Sequence, residues 1–203
     1  DLGGREFDRG ERCNTDDTGT VNSVFALGEG ATIRNGIIGS QQSEGIHCRG
    51  GCNIENIWFR DVCEDAITAL RAGTVRITGG GAQNADDKVV QANGRGEVII
   101  RDYTVVNVGK VYRSCGNCGT NSENSPRRVV IEGLRARGVG TNVVGINSNF
   151  GDIAEISGIC GTVSGEVCQQ FNGVNGGTSR ENNGKDNCRG AQGKVARGSL
   201  PPC

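Results

Sequence analysis

Apolar and polar residues alternate with a period of two in short runs along this chain, each run opening on glycine or another small residue. The runs are Gly30-Ala-Thr-Ile-Arg-Asn-Gly-Ile-Ile38, Gly51-Cys-Asn-Ile-Glu-Asn-Ile-Trp-Phe59, Ala72-Gly-Thr-Val-Arg-Ile77 and Arg95-Gly-Glu-Val-Ile-Ile100, continued by Arg127-Arg-Val-Val-Ile131 and Asp152-Ile-Ala-Glu-Ile156. A period of two is that of strands, and helical periodicity is hard to find anywhere in the chain. The runs also recur: Ile33, Ile54, Val75 and Val98 follow one another in steps of 21, 21 and 23 residues. Charged residues keep nearly the same beat at Glu44, Asp65, Asp87 and Lys110, in steps of 21, 22 and 23. A repeat of about this length is the signature of a solenoid in which each coil stacks on the next. The expected fold is therefore all-β, a single-stranded right-handed parallel β-helix with short coils, and the charged beat becomes a column on one face. Such a column suggests a site for a charged polymer.

The predicted organisation is one domain over residues 1–203. A polar N-terminal cap occupies 1–20, a loop insertion lies at 114–126, where the step from Val98 to Val129 lengthens to 31, and an irregular Gly/Asn-rich tail fills 173–203. Composition fits this picture. The 35 glycines without a collagen period suit a fold with many tight corners. The 22 basic and 23 acidic side chains argue against a nucleic-acid binder held by bulk charge.

Ten cysteines, an even number, indicate an oxidising compartment and a disulfide-stabilised coil stack. Cys48 with Cys52 and Cys160 with Cys168 are plausible local bridges; Cys115 and Cys118 are placed to tie the insertion, and Cys188 and Cys203 to anchor the tail. Zinc on Cys115-Gly-Asn-Cys118 is the rival reading, disfavoured because no second CxxC follows and the only histidine, His47, is distant in sequence. No apolar stretch is long enough to cross a membrane as a helix. With Asp1 at the start and no methionine, the chain reads as a mature secreted protein, and a monomer.

Three clusters carry chemistry. Glu64 and Asp65 are adjacent, with Glu44 one coil earlier and Asp87 one coil later. Carboxylates gathered without basic partners repel one another, and Ca²⁺, which accepts 6–8 oxygens in flexible geometry, relieves that repulsion. A solvated acidic face of no particular role is the bland alternative. Beside the acids lie Lys88, Lys110 and Arg113, the two lysines 22 residues apart. A cation site next to a basic trio suits a carboxylate-bearing substrate. In a polyuronate the C5 proton lies α to a carboxylate. Cationic groups on that carboxylate stabilise the charge that develops when the proton leaves, and a lysine whose pKa falls near other cations serves as base. Hydrolysis would require two carboxyl groups flanking the bond instead.

Glu44-Gly-Ile-His-Cys48, Val62-Cys-Glu-Asp-Ala66, Asp87-Lys-Val89 and Gly109-Lys-Val-Tyr-Arg113 resemble the pectate lyases of polysaccharide lyase family three. Cys48-x-x-x-Cys52, Asn56-Ile-Trp58 and Gly145-Ile-Asn-Ser148 extend the likeness, which runs from about Val24 to Ser148. The resemblance implies a secreted right-handed parallel β-helix that cleaves de-esterified homogalacturonan by Ca²⁺-dependent β-elimination. By position, Glu44, Glu64 and Asp65 fall on the family's calcium cluster, with Asp87 a fourth member. Lys88, Lys110 and Arg113 fall on its catalytic group, Lys88 as base with Lys110 as the alternative. Some members carry Asp at the position of Glu44. A polygalacturonase-like hydrolase is a competing reading. Asn14-Thr-Asp16 fits one of its motifs, but no Gly-His-Gly exists and Val75-Arg-Ile-Thr78 lacks the required lysine. A non-catalytic polysaccharide-binding solenoid is the third reading. His47 reads as structural.

Overall fold

The computed structural model describes residues 1–13 and 22–203 and shows a stack of parallel coils, almost entirely strand. Part of the expected cap, including Asn14-Thr-Asp16, lies outside the described residues. Each full coil lays strands on three faces. The first face is built from 31–34, 52–55, 73–78, 96–101, 127–132 and 153–157. The second continues through 36–38, 57–59, 80–82, 104–106, 135–139 and 160–163. The third collects 23–27, 44–48, 65–69, 88–92, 110–114, 142–147 and 168–172. Gly73–Ala92 runs unbroken as strand across all three faces.

The core is a set of ladders. Ile33, Ile54, Ile77, Ile100, Ile131 and Ile156 pair in sequence up the first face, each at most 4% exposed. Burying each isoleucine contributes about 1.5–3 kcal/mol relative to exposure. This corrects the sequence register. Ile54 stacks on Ile77, while Val75 stacks on Cys52 and Val98. Residues two apart in a strand share a face, so a coil lengthened by two leaves the alternation intact while moving the stack.

The corner between the first and second faces needs a left-handed backbone in every coil. It is occupied by Asn35, Asn56, Gly79, Asp102, Gly133 and Gly158, at φ between 51° (Asn56, Asp102) and 76° (Gly133). These residue types tolerate that region best. Asn56 Nδ2 donates to Asn35 Oδ1 at 3.1 Å, tying two corners together.

All ten cysteines pair, as Cys13–Cys63, Cys48–Cys52, Cys115–Cys118, Cys160–Cys203 and Cys168–Cys188. The expected Cys160–Cys168 bridge is therefore replaced: Cys160 lies on the second face and Cys168 on the third, and segments of the tail come to each. The tail is more regular than its composition indicates, since Arg180–Asn182 pairs antiparallel with 170–172 and Cys188–Arg189 extends the first face. The insertion is pinned from inside. Fully buried Asn121 donates to the Cys115 and Val174 carbonyls and accepts from the Arg127 guanidinium at 2.7 Å, and Arg127 is itself 1% exposed. Among the described residues no helix is long and apolar enough to cross a membrane.

Candidate active site

The third face carries an axial column of Ser23, Glu44, Asp65, Lys88, Lys110 and Asn142, paired strand to strand. Lys88 therefore takes the place in the column that the spacing assigns to Asp87, which stands one residue earlier. The parallel column is Ala26, His47, Thr68, Gln91, Arg113, Gly145 and Gln169. Strict alternation would send Lys110 and Arg113 to opposite sides. Between them, however, Val111 and Tyr112 are both fully buried, and the same doubling occurs at Val89-Val90 and Val143-Val144. The backbone turns a corner there, and both basic side chains line one pocket of about 610 Å³ with Glu64, Asp87 and Lys88.

Asp87 is the centre of the charge arrangement. Its Oδ2 accepts from Lys88 Nζ at 2.6 Å and its Oδ1 from Lys110 Nζ at 2.7 Å. The Lys88 ammonium also lies 3.2 Å from Asp65 Oδ1 and 3.8 Å from Glu64 Oε1. Burial raises the pKa of Asp87, but hydrogen bonds from Lys110 and Lys88 outweigh it and hold the carboxyl below its ordinary value. For Lys88, burial lowers the pKa, and the charges of Asp65, Asp87 and Glu64 more than reverse this, so the ammonium is held protonated. Asp65 is raised well above the usual range, first by burial, with Lys88 opposing and Glu64 and Glu44 adding to the rise. Gly109 makes the close approach possible. A Cβ there would stand 2.4 Å from the Asp87 carbonyl oxygen and 2.5 Å from that of Asp86.

Glu44 shares the column, but its carboxylate pairs with His47 Nε2 at 3.2 Å, and both residues are buried. Among the described residues no three His, Cys, Asp or Glu side chains form a ready metal-ligand group. Glu64, Asp65 and Asp87 converge on the Lys88 ammonium instead. The donor set nevertheless fits a hard cation. Three carboxylates face one ammonium, and the buried Asp65 Oδ1 makes no hydrogen bond.

Arg113 sits in a cradle that sequence reasoning did not find. Its guanidinium donates to Asn147 Oδ1 at 2.9 Å, to the Ser114 carbonyl at 2.7 Å and to Ser179 Oγ at 3.3 Å, and stacks 3.9 Å above the Phe171 ring. Burial lowers its pKa to about 10, with nearby Arg127 acting in the same direction. Gly145 leaves the space: a Cβ would meet Arg113 Cδ at 2.7 Å and Phe171 Cε2 at 3.1 Å. Gly145-Ile-Asn-Ser148 is visible as a motif, but nothing local in the sequence ties Phe171 or Ser179 to Arg113.

A family model described as pectate lyase matches residues 1–178. Pectate lyase E of Emericella nidulans is 49% identical over 178 residues, covering 86% of this chain and 68% of that protein. Pectate lyase H of the same fungus is 49% identical over 177 residues, covering 86% and 66%. Among solved structures, the catalytic domain of pectate lyase PelI from Erwinia chrysanthemi superimposes with a TM-score of 0.78 at 32% identity, covering 94% of each chain. PelI in complex with tetragalacturonic acid gives a TM-score of 0.71 at 33% identity, covering 87% of this chain and 61% of that one.

Proposed function

This chain belongs to the pectate lyase family and is a polysaccharide lyase, and we propose that it is a secreted, monomeric, calcium-dependent member of polysaccharide lyase family three. Its substrate on this reading is polygalacturonate, and its products are 4,5-unsaturated oligogalacturonides. The observation that carries the reading is the axial run Glu64, Asp65, Lys88, Lys110, Arg113 with Asp87 bridging both lysines. It places a carboxylate cluster and three cationic groups along a single face, in the direction a polymer would lie.

Glu64, Asp65 and Asp87 would hold Ca²⁺, with Glu44 contributing negative charge from the neighbouring strand. Bound there, the ion would neutralise these carboxylates and stabilise negative charge on the substrate carboxylate. The chain's own groups supply the rest. Arg113, rigid in its cradle and planar, grips a uronate carboxylate in two-pronged fashion, and Lys110 adds a point charge. Lys88 takes the C5 proton. For that it must be neutral, so the carboxylates that now hold it protonated must be engaged elsewhere during turnover. The C5–H electrons become the C4–C5 double bond, the C4–O bond breaks, and the departing oxygen takes a proton from water.

Lys110 is the second candidate for the base, favoured by having Asp87 as its only ion-pair partner among the described residues. Replacing each lysine by alanine decides between them. Lys88→Ala is expected to abolish turnover while leaving polymer binding and thermal stability near wild type. Substantial residual turnover in that variant, with loss in Lys110→Ala, transfers the role to Lys110.

A further inference from the structure

We propose that the second face carries a binding strip for an anionic uronide chain, separate from the pocket on the third face. The strip follows the register. Trp58, Gly81, Thr104 and Arg135 lie side by side up the stack, with Gln83, Val106 and Arg137 in the adjacent column. At a strand spacing of 4.7–4.9 Å, Trp58 and Arg135 are about 14 Å apart, room for a few sugar rings in line.

Trp58 is the platform. Its indole lies over Gly81: a Cβ at that glycine would stand 2.2 Å from Trp58 Cζ3 and 2.8 Å from Cε3. The side chain remains partly exposed, and its N–H makes no hydrogen bond to a described residue. An aromatic ring seated on flat backbone, with apolar Val106 and the Thr104 hydroxyl further along, suits the apolar face and hydroxyl edge of a pyranose.

Arginine supplies the charge selection. Arg101 and Arg128 on the first face are paired, with Glu132 at 2.7 Å and with Glu97 and Glu155. Arg135 and Arg137 are exposed and pair with no described carboxylate. They line a cavity of about 500 Å³ with Cys160, Pro202 and Cys203, so the strip ends in a concave, positively charged seat. Planar guanidinium groups bind carboxylates in bidentate fashion. Platform and seat together recognise a polyuronate, and this occupant rests on the pectate lyase reading.

The test uses the double variant Arg135→Ser/Arg137→Ser and, separately, Trp58→Leu. Wild type and variants are run in native gels containing polygalacturonate and assayed on both the polymer and a tetragalacturonide. Retention and polymer kcat/KM should fall about fivefold or more in each variant, the effect of losing roughly 1 kcal/mol of contact, while kcat/KM on the tetragalacturonide stays near wild type. Unchanged retention with cleavage intact overturns the strip alone. Weakened retention in variants of a wild type that binds but does not cleave supports the strip and overturns the lyase reading.

Discussion

Adding one methyl group at Gly145 tests whether the Arg113 cradle matters for turnover. The new Cβ would stand 2.7 Å from Arg113 Cδ, 3.1 Å from Phe171 Cε2 and 3.4 Å from Arg113 Nε. Carbon atoms rest comfortably at about 3.5–4.0 Å, so Arg113 must move by roughly 1 Å. Cδ is mid-chain and cannot swing away without carrying the guanidinium off Asn147 and off the Phe171 ring. The charged hydrogen bond is worth about 1.5–3 kcal/mol and the stacked contact about 0.5–2 kcal/mol. A misplacement of that size in a group gripping the reacting sugar costs on the order of 10²-fold in kcat/KM. Gly145→Ala should therefore approach the activity of Arg113→Ala while unfolding within a few degrees of wild type. The assay is the initial rate of unsaturated uronide formation on polygalacturonate, with thermal unfolding followed by circular dichroism. Near-wild-type turnover in Gly145→Ala beside an inactive Arg113→Ala would refute the claim that this geometry positions the arginine.

Asp65→Asn should raise thermal stability in chelator while abolishing any response to calcium. Because the folded protein raises the Asp65 pKa, it binds that proton more readily than the unfolded chain does, so the ionised form costs stability at neutral pH. Each kcal/mol recovered raises Tm by about 2–4 °C, and a lower Tm would contradict this sign. Asp87→Asn removes the carboxylate that holds both lysines. The alkaline-going limb of the pH–rate profile should move down by about one unit, equivalent to about 1.4 kcal/mol of lost charge interaction, with a lower maximum; an unmoved limb would separate Asp87 from the base. Ile77→Ala, in mid-ladder, should cost about 2–5 kcal/mol in chemical denaturation, and a loss no larger than that of an exposed substitution would contradict the ladder.

The sequence made the coil architecture readable because alternation and glycine punctuation are local, and because Lys88 to Lys110 and Glu44 to Asp65 happen to fall in true register. It misplaced Val75 and Asp87 because coil length drifts by one or two residues, and a spacing rule cannot tell a lengthened coil from a shifted residue. The charged trio was legible as a cluster, but the reason Lys110 and Arg113 share a face was not: it depends on the doubled inward pair Val111-Tyr112. The Cys160–Cys203 and Cys168–Cys188 bridges and the Phe171–Arg113 stack join segments distant in sequence, and no local pattern marks such pairs.

The central claim is that the third-face column performs calcium-dependent β-elimination. The direct measurement is ultraviolet absorbance of the unsaturated uronide during incubation with polygalacturonate, first in chelator and then after excess calcium is added. The account predicts no signal in chelator and its growth once calcium is restored. Equal growth in both conditions, or new reducing ends without any unsaturated product, would contradict it.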